Sequence, residues 1–145
     1  MELVEILNNS LLINSLIAWA AAQVIKMIIN AIINKRLDWE RLFGDGGMPS
    51  GHSATVTALA VTAAIEYGLD SPVFAICAIL AIIVMHDATG VRREAGKHAR
   101  AINGLMEMLE SSKDTEEKLK ELLGHTPLQV ITGVVLGALV AIVLG

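Results

Sequence analysis

The chain has 145 residues, of which 54% are hydrophobic and 18% charged, with two Trp, two Phe, one Tyr and a mean hydropathy of +0.59. A soluble domain carries about a quarter charged residues and draws much of its buried area from aromatic side chains, so an ordinary water-soluble core is disfavoured. The single Cys77 excludes an internal disulfide framework, no Cys/His spacing suggests structural zinc, and a net charge of −4 leaves no nucleic-acid footprint.

In chain order, the first predicted element is Leu11–Ile33, whose only charge is Lys26. A hydrocarbon core about 30 Å thick takes roughly 20 mostly apolar helical residues. This segment meets that length, and so does the last one, Pro127–Leu144. Ser53–Tyr67 is short by the same measure and Pro72–Asp87 is borderline, so both are expected to be sheltered by neighbours. Small residues in these stretches (Ala54, Ala58, Gly133, Gly137, Ala141) suit close helix–helix approach in lipid. Four buried helices of a soluble bundle fit the charge distribution less well. With Glu2 and Glu5 at the start rather than a basic region, no signal peptide is expected.

Between the third and fourth spans, Val91–Leu109 has apolar residues at helical spacing after Arg92, Arg93, Lys97 and Arg100. A second short helix is expected over Thr115–Leu123, with Asp114 as N-cap and Glu117 three residues on. Gly124 then suits a position past a helix end, and Pro127 a first helical turn. The basic residues Lys35, Arg36, Arg41, Arg92, Arg93, Lys97, Arg100, Lys113, Lys118 and Lys120 all fall in two connections, while the N-terminus and Gly68–Ser71 hold none. The excess of Lys and Arg on one side places both connections in the cytoplasm and both termini outside. The expected architecture is an all-α polytopic membrane bundle, a single domain over residues 1–145, with about four transmembrane helices and a cytoplasmic helical hairpin.

Polar chemistry crowds the helix ends on that one side. Gly44-Asp-Gly-Gly-Met-Pro-Ser-Gly-His52-Ser53 runs into the second helix, and glycines with helix-start N–H groups favour phosphate oxygens. His86-Asp87-Ala-Thr-Gly-Val-Arg92-Arg93 ends the third helix, and Gly124-His125-Thr-Pro-Leu-Gln129-Val130 begins the fourth. Two histidines, two arginines and two helix N-termini on one face supply what phosphoryl transfer requires: a nucleophile, an acid for the leaving group and cations on the oxygens.

These residues carry a resemblance. Pro49-Ser50-Gly51-His52 resembles the second signature of the type 2 phosphatidic acid phosphatase superfamily, which shares its fold with vanadium haloperoxidases. His125-Thr-Pro-Leu-Gln129 followed by Gly133 and Gly137 resembles the end of the third signature. Gly46-Gly-Met-Pro-Ser, Asp87-Ala-Thr-Gly-Val-Arg-Arg and Gly-His125-Thr-Pro resemble a divergent branch of small bacterial and plastid proteins, over most of residues 20–140. The resemblance implies that His125 attacks phosphorus and forms a phosphohistidine, and that His52 protonates the departing alkoxide. It also implies that Arg92 or Arg93 binds phosphoryl oxygens with the backbone at Ser50 and Gly51, and that Lys26 or Lys35 matches the first-signature lysine.

Two features depart from the pattern. Gln129 stands where the family has an acid; at i+4 it shares a face with His125, so its amide oxygen is expected to hold the Nδ1 proton, without the charge that stabilises an imidazolium. Either activity is low, or Asp87 takes the acid's part, or Gln129 is itself a substitution. The gap from Arg92 to His125 is also stretched by the whole hairpin, and His98 lies at the usual spacing from Arg92, which makes it the rival nucleophile. Asp87 at the end of an apolar helix is expected to pair with Arg92 or Arg93. Ser50 and Ser53 are expected to be cap and cradle rather than nucleophiles.

The resulting expectation is a cell-membrane, multi-pass lipid-phosphate phosphatase that needs no metal or other cofactor and faces the cytoplasm. Its expected substrate is a phosphomonoester of the phosphatidylglycerol phosphate or phosphatidate type. Four short spans hide polar groups poorly, which favours a homodimer. The alternatives are a catalytically weakened lipid-phosphate binding or scaffold protein, which Gln129 supports, and a small transporter subunit, which Lys26 within a span supports.

Overall fold

Polar caps start the helices. Asn9 has an extended backbone and its side-chain oxygen accepts the Leu12 N–H at 3.1 Å; Ser50, Ser71 and Thr126 cap three further helices in the same way. Pro72 and Pro127 occupy first-turn positions, where a missing N–H costs nothing. The computed structural model describes residues 3–35, 47–109 and 124–145. It contains α1 (Leu3–Leu7), α2 (Ser10–Asn34), α3 (Gly51–Tyr67), α4 (Pro72–Thr89), α5 (Val91–Leu109) and α6 (Pro127–Leu144). No strand occurs among the described residues. Every expected helix within them is present and starts or ends within two residues of its predicted bounds. The expected helix over Thr115–Leu123, with its cap Asp114, lies outside the described residues, as do Arg36, Arg41, Lys113 and Gly44–Gly46.

Among the described residues, three helical stretches are long and apolar enough to cross a membrane: Ser10–Asn34, Pro72–Met106 and Pro127–Leu144. At 17 residues α3 is shorter, and the fold shelters it: α3 packs against α2, α4 and α6. Its Ala54, Ala58, Ala63, Ser53 and Thr62 are fully buried. One core cluster consists wholly of alanines, Ala18, Ala22, Ala54, Ala58 and Ala141, with Val61, Leu136 and Val140 around it. Large side chains are turned outward instead; Ile76, Ile82 and Val143 are all exposed. That inversion is what a helix bundle solvated by lipid requires, since packing there comes from close backbone approach rather than from expelling grease from water.

The closest approach is between α3 and α6. A Cβ added at Gly137 would lie 2.2 Å from the Ala54 carbonyl oxygen, and one at Gly133 would lie 2.5 Å from that of Ser50. The Gly133-x-x-x-Gly137 pair therefore lets the two backbones touch. Two polar pairs link α2 to α3: Asn14 Nδ2 donates to Thr62 Oγ1 at 3.2 Å, and the Ser10 hydroxyl donates to Glu66. These contacts tie the start of α2 to the end of α3.

Candidate active site

The start of α6 is the hub of the site. Gly124 has φ +83°, and a Cβ there would lie 2.4 Å from Arg93 N and 2.8 Å from Arg92 C, so the turn before α6 rests directly on the first turn of α5. The next residue, His125, donates its backbone N–H to the Ala88 carbonyl at 2.9 Å. On the other side, Ser50 donates its N–H to the Gln129 carbonyl at 2.9 Å. Two backbone hydrogen bonds and one glycine thus join the end of α4, the start of α5 and the start of α3 around His125. The stretched sequence gap between Arg92 and His125 closes here in space.

The imidazoles follow from that backbone. His125 is 4% exposed, its Nδ1 is sealed from solvent, and its ring meets the ring of His52 edge to face with centroids 6.2 Å apart. His52 is in the first turn of α3, exposed, and opens onto a cleft of about 230 Å³ lined also by Ile83, Val84, Asp87, Ala88 and Arg92. Arg92 Nε donates to Asp87 Oδ2 at 2.7 Å across the break between α4 and α5. This is the pairing expected for Asp87, with Arg92 rather than Arg93 as the partner. Ser50 is fully buried; its hydroxyl oxygen caps α3 by accepting the Ser53 N–H at 3.3 Å and takes a second hydrogen bond from the Ser53 hydroxyl at 3.0 Å. Ser50 is therefore the cap of α3, as expected, with Ser53 hydrogen-bonded to it. Gly51 is buried beneath Trp19, whose Cδ1 would lie 3.5 Å from a Cβ on that glycine.

The remaining candidates separate. Lys26 is 6% exposed within α2, and its Cγ and Cδ lie 3.1 and 3.2 Å from where a Gly47 Cβ would stand, so its stem packs on the loop that leads to Ser50. Lys35 is exposed at the C-cap of α2, with φ 52°, and does not line the cleft. Arg93 and His98 are exposed on α5 and do not line it either. Among the described residues no group of three or more His, Cys, Asp or Glu is arranged to hold a metal ion.

Gln129 differs from expectation. Its side-chain oxygen accepts the Thr126 N–H at 2.9 Å while the Thr126 hydroxyl accepts the Gln129 N–H at 3.4 Å, a reciprocal capping box. The oxygen is thus directed to the helix start rather than to the His125 ring. The Thr126-x-x-Gln129 spacing carried that signal, which the i+4 relation to His125 masked. The Ala88 carbonyl and the wall formed by Ile83 and Val84 had no sequence signal, since a backbone oxygen and two aliphatic side chains look like any others in an apolar helix.

Comparison with known proteins places this geometry in a lineage. Residues 7–140 match the model of the divergent PAP2 family. An uncharacterized membrane protein of Bacillus subtilis strain 168, YuiD, is 47% identical over 152 aligned positions that cover 97% of this chain and 96% of the relative. No solved structure matches the chain.

Proposed function

The chain belongs to the divergent PAP2 family of membrane proteins, and from that premise we propose that it is a lipid-phosphate phosphatase acting through a phosphohistidine at His125. The observation that supports this reading best is the His52–His125 ring pair, with centroids 6.2 Å apart, beside a cleft that also holds Arg92. In this reading His125 Nε2 attacks phosphorus while the phosphorus–oxygen bond to the lipid breaks. His52, protonated, gives its proton to the leaving alkoxide. Water then attacks the phosphohistidine, His52 takes back a proton, and inorganic phosphate leaves. Arg92 binds the phosphoryl oxygens, Lys26 is the cation at the cradle rather than Lys35, and the Gly51 N–H at the start of α3 faces the anion, while the Ser50 N–H holds the turn to Gln129. Asp87 holds Arg92 in the cleft.

The substrate is a phosphomonoester of the phosphatidate or phosphatidylglycerol phosphate type, whose chains lie along Ile83 and Val84. The same reading takes four membrane spans, α3 included, with the site, α5 and the hairpin at the cytoplasmic face of the cell membrane. It also takes a homodimer, because the small bundle leaves much of its surface to lipid.

A second reading has one specific observation in its favour. With a neutral amide at 129 occupied by the helix cap, no acid at that position stabilises an imidazolium at 125, which suits a weakened enzyme that binds lipid phosphate without turning it over. Purified protein in mixed micelles with phosphatidate or phosphatidylglycerol phosphate separates the two. Phosphate release that His125→Ala abolishes supports the phosphatase. Saturable binding with no release from either lipid supports the scaffold.

A further inference from the structure

Helix α5 divides its surface in three. Gly96, Ala99 and Asn103 form a buried side. Val91, Ala95, His98, Ile102 and Leu105 fall on one stripe by the 3.6-residue repeat, and all five are exposed, Val91 at 67% and Leu105 at 59%. Arg93, Lys97 and Arg100 lie on the side away from that stripe, also exposed. Apart from His98 the stripe is apolar, and an apolar stripe of this length needs an occupant, because water is a poor one.

Position and charge identify it. Only Gly90, with ψ −93°, separates α5 from α4, so the stripe begins directly where the apolar helix α4 ends. Between Arg92 and Arg100 there are four cations, of which Arg92 pairs with Asp87 and Lys97 with Glu94, and such a helix does not enter the hydrocarbon itself. A greasy stripe backed by arginine and lysine matches the boundary between headgroups and acyl chains of an anionic leaflet: the stripe sinks about 5–10 Å while the cations stay beside the phosphates.

We propose that α5 is an interfacial helix whose apolar stripe inserts into the bilayer surface and whose cations bind anionic phospholipid headgroups. The inference does not depend on catalysis. It has a structural consequence for the site, because the first turn of α5 carries Arg92 and bears against Gly124 beside His125.

The test uses the whole protein in proteoliposomes. Single cysteines are introduced by Ile102→Cys and Leu105→Cys on the stripe, and by Lys97→Cys and Gly104→Cys off it, all with Cys77→Ala, and are labelled with bimane. The lipid is phosphatidylcholine, alone or mixed with phosphatidylglycerol, and carries a nitroxide high on the acyl chain. The expected result is about threefold stronger lipid quenching at 102 and 105 than at 97 and 104, as sinking of one face demands. Quenching should rise with phosphatidylglycerol, and combined Arg93→Gln, Lys97→Gln and Arg100→Gln should remove that rise. Equal quenching around the helix would overturn the proposal, as would iodide in the water reaching 102 and 105 as readily as 97. Protection of 102 and 105 from both quenchers would overturn it too, by placing protein on the stripe, and insertion indifferent to phosphatidylglycerol would overturn the headgroup claim.

Discussion

At residue 129 two jobs meet in one side chain. The Gln129 oxygen completes the capping box with Thr126, and glutamate serves that box as well as glutamine does. Gln129→Glu therefore keeps the helix start while adding a carboxylate one turn from His125, where a cationic ring would form during catalysis. Loss of the comparable acid from a serine protease triad costs about 10⁴ in rate, and even a fraction of that effect is large. We predict that Gln129→Glu raises turnover of a lipid phosphomonoester by about tenfold or more, measured as phosphate release per purified protein. Gln129→Ala should instead lower stability by about 1 kcal/mol through the lost cap. His98→Ala should leave the rate nearly intact, since His98 stands on the exposed stripe of α5 while it is His125 whose ring meets that of His52. An inactive His98→Ala protein that folds normally would move the nucleophile to that residue.

Among the elements, the contact of α3 with α6 is what holds the start of α3, with Ser50 and His52, beside His125. Gly137 lies against the Ala54 carbonyl with no room for a methyl group, whereas a Cβ at Gly104 would meet nothing within 4 Å. Gly137→Val must push α6 off α3 and stretch the Ser50-to-Gln129 backbone bond. Overpacking of this kind costs about 1–3 kcal/mol, so the melting temperature in detergent should fall by several degrees. Gly104→Ala should raise it slightly, by about 1 kcal/mol of helix propensity. If both substitutions behaved alike, the backbone contact would not be the constraint. At this scale the sequence was legible: apolar length, polar caps and prolines marked the helices from Leu11 to Leu144, and the paired glycines of α6 marked its tight face. Two details were not. Gln129 had two plausible neighbours, and only the three-dimensional turn decides between His125 and Thr126. The alignment of Ala88 with His125 runs through a backbone carbonyl, which no side-chain pattern reports.

Over the whole molecule, three long apolar helices surround a short one, and the chemistry gathers at the ends where α3 and α6 begin and α4 ends. In the proposed topology the excess of Lys and Arg turns that end towards the cytoplasm. Cysteine placed at Asp70, in the connection between α3 and α4, should then react with an external impermeant thiol reagent in intact cells, while cysteine at Lys97 should react only after permeabilisation, both with Cys77→Ala. The opposite pattern would turn the site to the outer leaflet. The account as a whole rests on His125 becoming phosphorylated. Purified protein is mixed with a lipid phosphomonoester labelled at phosphorus, quenched in alkali, where phosphohistidine survives, and digested for peptide mapping. The account predicts acid-labile label on the peptide holding His125, absent from His125→Ala. Label on the peptide holding His98, or phosphate release with label unaffected by His125→Ala, would contradict it.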